Sequence, residues 1–388
     1  MTKDRRGIET RLIHPLKRAS AKFEAVSPPI HRASTVLFDT IDAVFDEQER
    51  DAHYRYATMG TPTTRELEAR LCEIEGAVGV ELAPSGLAAL SLTYLAACKA
   101  GDHVLIPASA YSPNTRLGDF LKRFGIEVEA YDPLIGPDIE LHFRPNTRLV
   151  WCESPGSISM EIQDVPAIIE RAHRHGALVA VDNTYAAGLL FNPLDHGADF
   201  SVQALTKYQG GHGDVLMGAV ATRDAARLAE LRAAAEHLGS CVSSDDAALV
   251  LRGLRTLFLR LRHVERGALE LATWLDQHEE VASVLHPALP ACPGHDIWKR
   301  DFSGAAGIFS VIFKDWSRAR VERFVDALEL FKIGYSWGGP VSLVMAYRGL
   351  SRPSPEAGER LVRFSVGLEE LDDLKADIVQ AIAASSQP

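Results

Sequence analysis

The stretch from Ala177 to Asp214 reads ALVAVDNTYAAGLLFNPLDHGADFSVQALTKYQGGHGD and contains two short apolar runs, ALVAV and FSV. Apolar runs of this length, bounded by turn-forming residues, are typical of strands buried in a parallel sheet. Asp182 follows the first run, and Lys207 follows the second, 25 residues further along the chain. Because ligands bind beyond the carboxyl ends of parallel strands, the stretch predicts that a carboxylate and an amine share one cleft.

The same alternation of short apolar runs and helical segments extends towards the N-terminus. The runs VGVELA, HVLIPA, IEVEAYD and RLVWCES are separated by segments with helical periodicity. Before them, Leu67, Leu71 and Ile74 form an apolar stripe that ends at Gly76, which is the pattern of a helix with a C-terminal stop. The alternation predicts an α/β fold in which helices cover both faces of a mostly parallel central sheet.

The two ends of the chain have a different character. An amphipathic segment covers about residues 242–278, and the runs GIFSVIF, KIGYSW, VSLVMA and VRFSVGL follow it, which predicts a smaller C-terminal α/β domain. The first 60 residues lack an apolar period and are expected to form an arm that contacts a neighbouring subunit. The predicted divisions are therefore 1–60 for the arm, 61–250 for the large domain and 251–388 for the small domain.

The composition argues against several classes of protein. The net charge is −11 and the basic residues are scattered, which argues against nucleic acid as a partner. The five cysteines are widely spaced and form no CxxC pair, so neither a disulfide framework nor a zinc site is predicted. The N-terminus lacks an apolar signal segment, and no run approaches the roughly 20 apolar residues of a membrane span. A cytoplasmic protein that does not bind membranes is expected.

Two further strand ends carry candidate ligand-binding groups. After VGVELA, the residues Ser85, Gly86 and Leu87 open a predicted helix, whose free N–H groups suit a phosphate; a plain helix N-cap explains them equally well. After HVLIPA comes Tyr111, which suits stacking on a flat ligand as well as ordinary packing. The Asp182 carboxylate calls for a cationic partner such as a protonated ring nitrogen, or else it caps the next turn.

Lys207 is open to three readings on its own: a phosphate contact, a surface residue or a covalent nucleophile. In a cleft between strand ends, desolvation lowers the pKa of a lysine, as an imine-forming amine requires. A phosphate cradle, a stacking aromatic, a carboxylate for a pyridinium and an imine-forming lysine together describe a pocket for pyridoxal 5′-phosphate. The ordered set favours the covalent reading of Lys207.

Other catalytic patterns are weaker or absent. The sequence has no GxxxxGK[ST], no GxGxxG after a strand and no GxSxG. His173 and His175 are two positions apart on a predicted helix and point in different directions, so they cannot share a metal ion. His212 and His295 have no partner ligands at metal spacing, so no metal site is predicted.

With these residues in place, the chain resembles a known family from about residue 50 to its C-terminus. The motifs CEIEGAVG, AYSPN, VDNTYAAGLLFNPLDHGAD and SVQALTKYQGGHGD are similar to those of the Cys/Met-metabolism family of pyridoxal phosphate enzymes, which have fold type I. Three more, ESPGSISMEIQDVPAI at 153–168, HPALPACPGHDIWKRDF at 286–302 and GYSWGGPVSL at 334–343, resemble its bacterial cystathionine β-lyases.

The resemblance implies roles for the cofactor-binding residues. It implies that Lys207 binds the cofactor as an imine and serves as the catalytic base, that Asp182 pairs with the pyridine nitrogen, and that Tyr111 stacks on the ring. The phosphate would be held by a separate group of residues: Ser85, Gly86, Leu87, Thr206 and, from a neighbouring subunit, Tyr56.

The resemblance also implies how the substrate binds and reacts. Arg363, assisted by Ser336 and Trp337, would bind the substrate carboxylate, with Tyr56 of the neighbouring subunit at the same site. The implied activity is a carbon–sulfur β-lyase of transsulfuration and methionine biosynthesis, acting on L-cystathionine or related S-substituted cysteines, in a homotetramer built as a dimer of dimers. The alternatives are a γ-family relative, namely a cystathionine γ-lyase or synthase or an O-acyl-homoserine sulfhydrylase, and a non-catalytic scaffold of the same fold.

Two positions depart from the family pattern. The family commonly has arginine two residues after the N-terminal tyrosine, where this chain has Thr58, and often has serine three residues before the lysine, where it has Ala204. Each departure removes a group that could bind the phosphate. We therefore expect the Ser85–Leu87 turn to contribute more than usual to holding the cofactor.

Overall fold

The computed structural model describes residues 7–14, 25–45 and 54–386. These residues form two β-sheets with helices packed against them. None of the helices described is long and apolar enough to span a membrane.

The larger sheet has seven strands in the order β1-β7-β6-β5-β4-β2-β3. Only β7 runs antiparallel to its neighbours, so the sheet is mostly parallel, as predicted. Its strands are β1 Gly79–Ala83, β2 His103–Pro107, β3 Glu127–Tyr131, β4 Thr147–Glu153, β5 Leu178–Asp182, β6 Phe200–Gln203 and β7 Gly218–Thr222.

The smaller sheet has five strands, in the order β10-β11-β12-β9-β8, and is mostly antiparallel. Phe309, Phe364 and Phe324 lie fully buried in the core beside it. Its strands are β8 Val281–Leu285, β9 Ile308–Phe313, β10 Lys332–Ile333, β11 Leu343–Ala346 and β12 Leu361–Ser365.

The helices begin and end where local sequence signals place them. Helix α3, for example, starts with Pro62 after the capping residue Thr61 and stops at Gly76, which adopts the left-handed conformation. The helices are α1 Ile8–Ile13, α2 Ile41–Phe45, α3 Pro62–Glu75, α4 Gly86–Ala97, α5 Ser112–Leu121, α6 Val165–His175, α7 Ala225–Leu238, α8 Ser244–Leu254, α9 Leu257–Asp276, α10 His295–Asp301, α11 Arg318–Ala327, α12 Pro355–Glu359 and α13 Leu371–Ser385.

Side chains alternate between the two faces of the larger sheet, and this alternation decides what faces the cleft. In β5, Val179 and Val181 join one core, whereas Leu178 and Ala180 join the core on the opposite face. Asp182 continues the second set, and it lies level with Glu153, the last residue of β4. The fold therefore places two carboxyl groups side by side on one face at the carboxyl edge of the sheet.

Four details differ from the sequence-based expectations. The amphipathic segment at 242–278 forms two helices, α8 and α9, and Gly253 near the end of α8 packs directly on the backbone of Gln209, which leaves no room for a side chain. Strand β8 was not predicted, and only the first two residues of KIGYSW form a strand. The arm contains two short helices, α1 and α2, and Leu12 of α1 is buried against the body.

Glu75, at the end of α3, makes the stability of the fold depend on pH. Burial raises the pKa of its carboxyl from 4.5 to about 7. A carboxyl whose pKa is raised in the folded state favours folding in its neutral form. Its contribution to the free energy of unfolding is therefore complete below its unfolded-state pKa and is lost as the pH rises towards 7. We expect Glu75→Gln to be more stable than the wild type at pH 8, by up to about 3 kcal/mol, and equal to it near pH 4.5.

Thermal unfolding followed by circular dichroism at both pH values tests this expectation. Glu230→Gln, at an exposed position of α7, is the matched control. A Glu75→Gln variant that is less stable than the wild type at pH 8 would show that the ionised carboxylate is well satisfied in the fold.

Candidate active site

A cleft opens at the carboxyl ends of β4, β5 and β6, between the two sheets. Its lining includes most of the residues predicted from sequence: Ser85, Gly86, Leu87, Tyr111, Asp182, Thr206, Lys207 and Trp337. Ser336 and Arg363 contact this group, as described below. Residues as far apart in sequence as Ser85 and Trp337 are thus brought to one site.

The turn that carries Lys207 is fixed from the side of α9 and the smaller sheet. Arg260 of α9 donates a hydrogen bond from Nη1 to the backbone oxygen of Tyr208 at 2.7 Å, and the Tyr208 hydroxyl accepts one from the Gly307 N–H at 3.1 Å. Gly211 has φ +71°, and a Cβ there would lie 1.9 Å from Arg260 Nη1. The first glycine after KYQG is therefore required by this close approach, not by a phosphate.

The amine of Lys207 lies in an enclosed, polar corner of the cleft. Its Nζ donates a hydrogen bond to Ser336 Oγ at 2.6 Å and lies 4.4 Å from the centre of the Trp337 ring. Burial, aided by the nearby charge of Arg363, lowers the pKa of Lys207 from 10.5 to about 8. Ser336 has φ +109°, a conformation that non-glycine residues rarely adopt and that is concentrated at functional sites.

This lowered pKa has a direct chemical consequence. In the cofactor-free protein, acetylation of Lys207 by acetic anhydride is expected to reach half of its maximal rate near pH 8 and to level off about one pH unit higher, because only the neutral amine reacts. Peptide mass spectrometry measures the labelling, and the exposed Lys99 provides the internal reference. A labelling rate for Lys207 that still climbs steeply between pH 9 and 10 would contradict the lowered value.

Asp182 is held in place by Thr184. The Asp182 Oδ1 atom accepts hydrogen bonds from the Thr184 hydroxyl at 2.6 Å and from its N–H at 3.1 Å. The same hydroxyl accepts the Ala204 N–H at 2.9 Å, which ties the carboxylate to the end of the lysine-bearing strand. Burial raises the pKa of Asp182, while Thr184 and the charge of Lys207 oppose that shift. A protonated ring nitrogen is the kind of partner that this buried carboxylate suits.

The Ser85–Leu87 turn is both a helix cap and a set of free donors. The Ser85 Oγ atom accepts the Ala88 N–H at 3.0 Å, so the N-cap interpretation is correct. The first N–H groups of a helix have no intrahelical acceptor, and in α4 those of Gly86 and Leu87 lie at the cleft. The two readings of this segment are therefore compatible, because the cap orients the donors that suit a phosphate.

Gly86 also packs against Ala204, the position at which the family often has serine. A Cβ at Gly86 would lie 2.6 Å from Ala204 Cβ, so the turn and the end of β6 leave no room for a methyl group. We expect Gly86→Ala to displace the turn and to weaken cofactor binding about tenfold or more, measured as the dissociation constant of the bound chromophore. Gly7→Ala is the control, since φ there is −60° and a Cβ would meet nothing within 4 Å, and it is expected to leave the affinity for the cofactor unchanged. Unchanged affinity in the Gly86 variant would show that the turn does not hold the phosphate.

Thr206 and Tyr111 both line the cleft, but the Thr206 hydroxyl is held by hydrogen bonds, whereas the Tyr111 side chain is partly exposed. The Thr206 hydroxyl exchanges hydrogen bonds with the backbone of Met217, donating at 3.2 Å and accepting at 3.0 Å. Tyr111 precedes α5, and its side chain is partly exposed towards the cleft. The assignments of Thr206 to the phosphate and of Tyr111 to ring stacking remain predictions.

Arg363, on β12, is a buried cation suited to a carboxylate ligand. Among the described residues, its guanidinium makes one hydrogen bond, from Nη1 to the backbone oxygen of Ser157 at 3.2 Å, and no carboxylate lies within ion-pair distance. The guanidinium is flanked by the rings of Trp337 and Tyr347, whose centres lie 5.2 and 5.3 Å away. A buried charge without a counterion is costly, so an anionic ligand is the missing partner.

Tyr56 is not brought to the cleft within this single chain. Tyr56 is half-exposed and pairs with Thr35 through an isolated β-bridge. Thr58, at the position of the family arginine, lines a separate pocket that also contains Arg65 and Glu81. The predicted contribution of Tyr56 to a neighbouring subunit's site remains a prediction.

Sequence reasoning missed four residues of the site. Thr184 lies within the motif VDNTY, and Glu153 and Ser157 lie within ESPGS, so the motifs were a usable signal for these three residues. Tyr347 contributes an aromatic face beside Arg363, and no motif of the sequence predicted it.

The donors and charges present fit pyridoxal 5′-phosphate. Free N–H groups at α4 suit its phosphate, the Asp182 carboxylate suits its ring nitrogen, and the amine of Lys207 has the lowered pKa that imine formation needs. Among the described residues, no three His, Cys, Asp or Glu side chains are grouped to hold a metal ion.

Comparison with known proteins agrees with this site. Residues 9–383 match the family described as Cys/Met metabolism PLP-dependent enzyme. The chain is 41% identical to the cystathionine beta-lyase MetC of Escherichia coli over 96% of this chain and 97% of that protein. It is 42% identical to the cystathionine beta-lyase of Bordetella avium over 92% of each.

A solved structure shows the same fold. The crystal structure of cystathionine gamma synthase from Xanthomonas oryzae pv. oryzae in complex with cystathionine superimposes with a TM-score of 0.90 at 32% identity, covering 98% of both chains. The fold type I architecture predicted from sequence is thus confirmed, and pyridoxal 5′-phosphate is the cofactor. Over nearly its whole length, the chain belongs to the Cys/Met metabolism family of PLP-dependent enzymes.

Proposed function

We propose that the protein is a carbon–sulfur β-lyase that uses pyridoxal 5′-phosphate to cleave L-cystathionine, or a related S-substituted cysteine, into a thiol, pyruvate and ammonia. With L-cystathionine, the thiol is homocysteine. The observation that carries the proposal is the placement of the buried, counterion-free Arg363 beside the Trp337 ring that the amine of Lys207 also contacts. An α-amino acid bound by its carboxylate at Arg363 would present its Cα to the amine of Lys207.

The residues of the cleft divide the work of this reaction. When bound, the cofactor supplies an electron sink that stabilises negative charge at the substrate Cα. Arg363 binds and orients the carboxylate, and the Asp182 carboxylate would pair with the ring nitrogen and keep it protonated. Lys207 Nζ accepts the Cα proton, because its amine is tethered within reach and partly neutral near pH 8.

The remaining steps break the Cβ–S bond and release the products. The electron pair of the broken Cα–H bond forms a Cα–Cβ double bond, and the Cβ–S pair departs with the sulfur, which takes a proton to become the thiol. The released three-carbon enamine hydrolyses to pyruvate and ammonia. Ser336 Oγ, 2.6 Å from Lys207 Nζ, holds the amine in position while the proton is on it.

The second candidate is a γ-family activity, cystathionine γ-lyase or synthase or O-acyl-homoserine sulfhydrylase. Those reactions need a further proton transfer at Cβ. The ESPGS and YSWGG segments favour the β-lyase, and both named relatives described above are cystathionine beta-lyases.

We further propose the assembly and setting of the enzyme. Tyr56 lies outside its own chain's cleft, which supports an active site completed by a second subunit and hence a homo-oligomer, a tetramer arranged as a dimer of dimers. The two sheets support the division into an arm at 1–60, a large domain at 61–250 and a small domain at 251–388. The proposed setting is the cytoplasm, in the transsulfuration route of methionine biosynthesis.

A panel of S-substituted L-cysteines tests the function. L-Cystathionine, L-cystine and S-alkyl-L-cysteines are incubated with the purified holoenzyme, and pyruvate is measured with a coupled dehydrogenase. The proposal expects pyruvate from at least one member of the panel, at rates that Lys207→Ala abolishes. No pyruvate from any of them would refute the β-lyase assignment.

A further inference from the structure

Glu153 is a buried carboxyl group that the reaction does not use. It ends β4, lines the cleft and lies level with Asp182 on the neighbouring strand. Both side chains face the same side of the sheet, so the fold places two acids together beneath one site. Two adjacent buried carboxyl groups rarely ionise together, so their surroundings decide which one carries the charge.

The contacts of Glu153 reach both walls of the cleft. Its Oε2 accepts the N–H of Tyr111 at 2.6 Å, and the Ser157 hydroxyl is near enough to its carboxyl to lower the pKa of Glu153. The backbone oxygen of Ser157 is the atom that binds Arg363. One carboxyl group therefore connects the aromatic side of the site with the carboxylate-binding side.

The charged neighbours favour different states for the two acids. Asp182 accepts two hydrogen bonds from Thr184 and faces the charge of Lys207. Glu153 is influenced by the charges of Asp182 and Arg363, and its carboxyl accepts the N–H of Tyr111. Burial and the charge of Asp182 raise the pKa of Glu153 well above its ordinary value, which favours the neutral form of Glu153 beside an ionised Asp182.

We propose that Glu153 is a positioning residue that works as a neutral carboxyl group. It fixes Tyr111 and Ser157, and it leaves Asp182 as the anion that is available to the ring nitrogen of the cofactor. Its effect on catalysis passes through Tyr111 and through the Ser157 oxygen that orients Arg363. The kinetic part of this inference rests on the proposed function, whereas the spectroscopic part does not.

Two substitutions separate the neutral form from the ionised form. Glu153→Gln copies a protonated carboxyl group, because the amide oxygen still accepts the Tyr111 N–H and the amide nitrogen still donates. Glu153→Asp keeps the acid but withdraws it by one methylene, which breaks the 2.6 Å bond. Glu75→Gln, a buried carboxyl group outside the cleft, is the matched control, and circular dichroism verifies folding.

The readouts are the pH titration of the bound cofactor's visible absorbance, and kcat and KM for the best substrate of the panel. Glu153→Gln is expected to keep the titration midpoint and to change kcat and KM less than about twofold. Glu153→Asp is expected to shift the absorbance and to raise KM about tenfold, because Tyr111 and the Arg363 anchor both move.

Each other outcome overturns the proposal. A midpoint lowered by a unit or more in Glu153→Gln would mean that an anion had been removed, and a loss of activity at an unchanged midpoint would mean that the acid itself is needed. An Asp variant equal to the wild type in absorbance and KM would exclude positioning. If Glu153→Asp does not fold, the midpoint of the Gln variant alone decides. Since the titration needs no substrate, its result stands even if no β-lyase activity is found.

Discussion

Replacing Lys207 by alanine is expected to abolish turnover, lowering kcat/KM by about 10⁴-fold or more, and to remove the visible absorbance of the holoenzyme. The expected loss is large because we assign two roles to one atom: Lys207 Nζ would bind the cofactor covalently and carry the substrate proton. Its environment serves both roles, since Ser336 holds the amine and burial keeps its pKa near 8. Absorbance spectra and pyruvate release, each on the same preparation, measure the two effects.

A matched control is Lys122→Ala, since Lys122 is exposed at the end of α5 and pairs with Asp119. That variant is expected to keep both absorbance and turnover. If Lys207→Ala instead turned over substrate at the normal rate, neither covalent binding nor proton transfer could be assigned to this lysine, and the assignment of the site would fail.

Replacing Arg363 by leucine is expected to lower kcat/KM by about 10²- to 10³-fold, mainly through KM, while the cofactor stays bound. Leucine removes the one buried cation that faces the cleft without a carboxylate partner among the described residues, so the substrate carboxylate is left unpaired. Arg363→Lys is expected to recover only part of the loss, because an ammonium cannot make the two parallel hydrogen bonds of a guanidinium.

The neighbouring Arg360 provides the control for this experiment. It lies just before β12, partly exposed and paired with Asp315, so Arg360→Leu is expected to leave kcat and KM unchanged. A normal KM in Arg363→Leu would contradict the proposed carboxylate site. A loss of visible absorbance in that variant would mean that Arg363 holds the cofactor instead.

The parts of the site that sequence predicts are those governed by local rules. Asp182 and Lys207 were expected together because each follows a buried strand of one parallel sheet, and the cleft indeed contains both. The Ser85–Leu87 turn was predictable because a serine before a helix caps it and directs its free N–H groups. Periodicity alone located α3 and the strands around it to within about two residues.

The remaining parts depend on contacts that no local pattern encodes. The bond between Arg363 and the Ser157 oxygen joins residues 206 positions apart, and the proximity of Arg363 to the cleft was expected only from the family resemblance. The break between α8 and α9 lies next to Gly253, which packs on the lysine-bearing turn, and periodicity cannot reveal this contact. The role proposed for Tyr56 involves a second subunit, so the contacts of one chain do not test it.

The most direct test of the proposed function is the pair of products formed from L-cystathionine. Cleavage at Cβ yields homocysteine, pyruvate and ammonia, whereas cleavage at Cγ yields cysteine, 2-oxobutyrate and ammonia. We predict pyruvate and homocysteine in equal amounts, without 2-oxobutyrate, when the products of the purified holoenzyme are separated by chromatography. Release of 2-oxobutyrate and cysteine in place of pyruvate would contradict the β-lyase assignment and establish the γ-family activity.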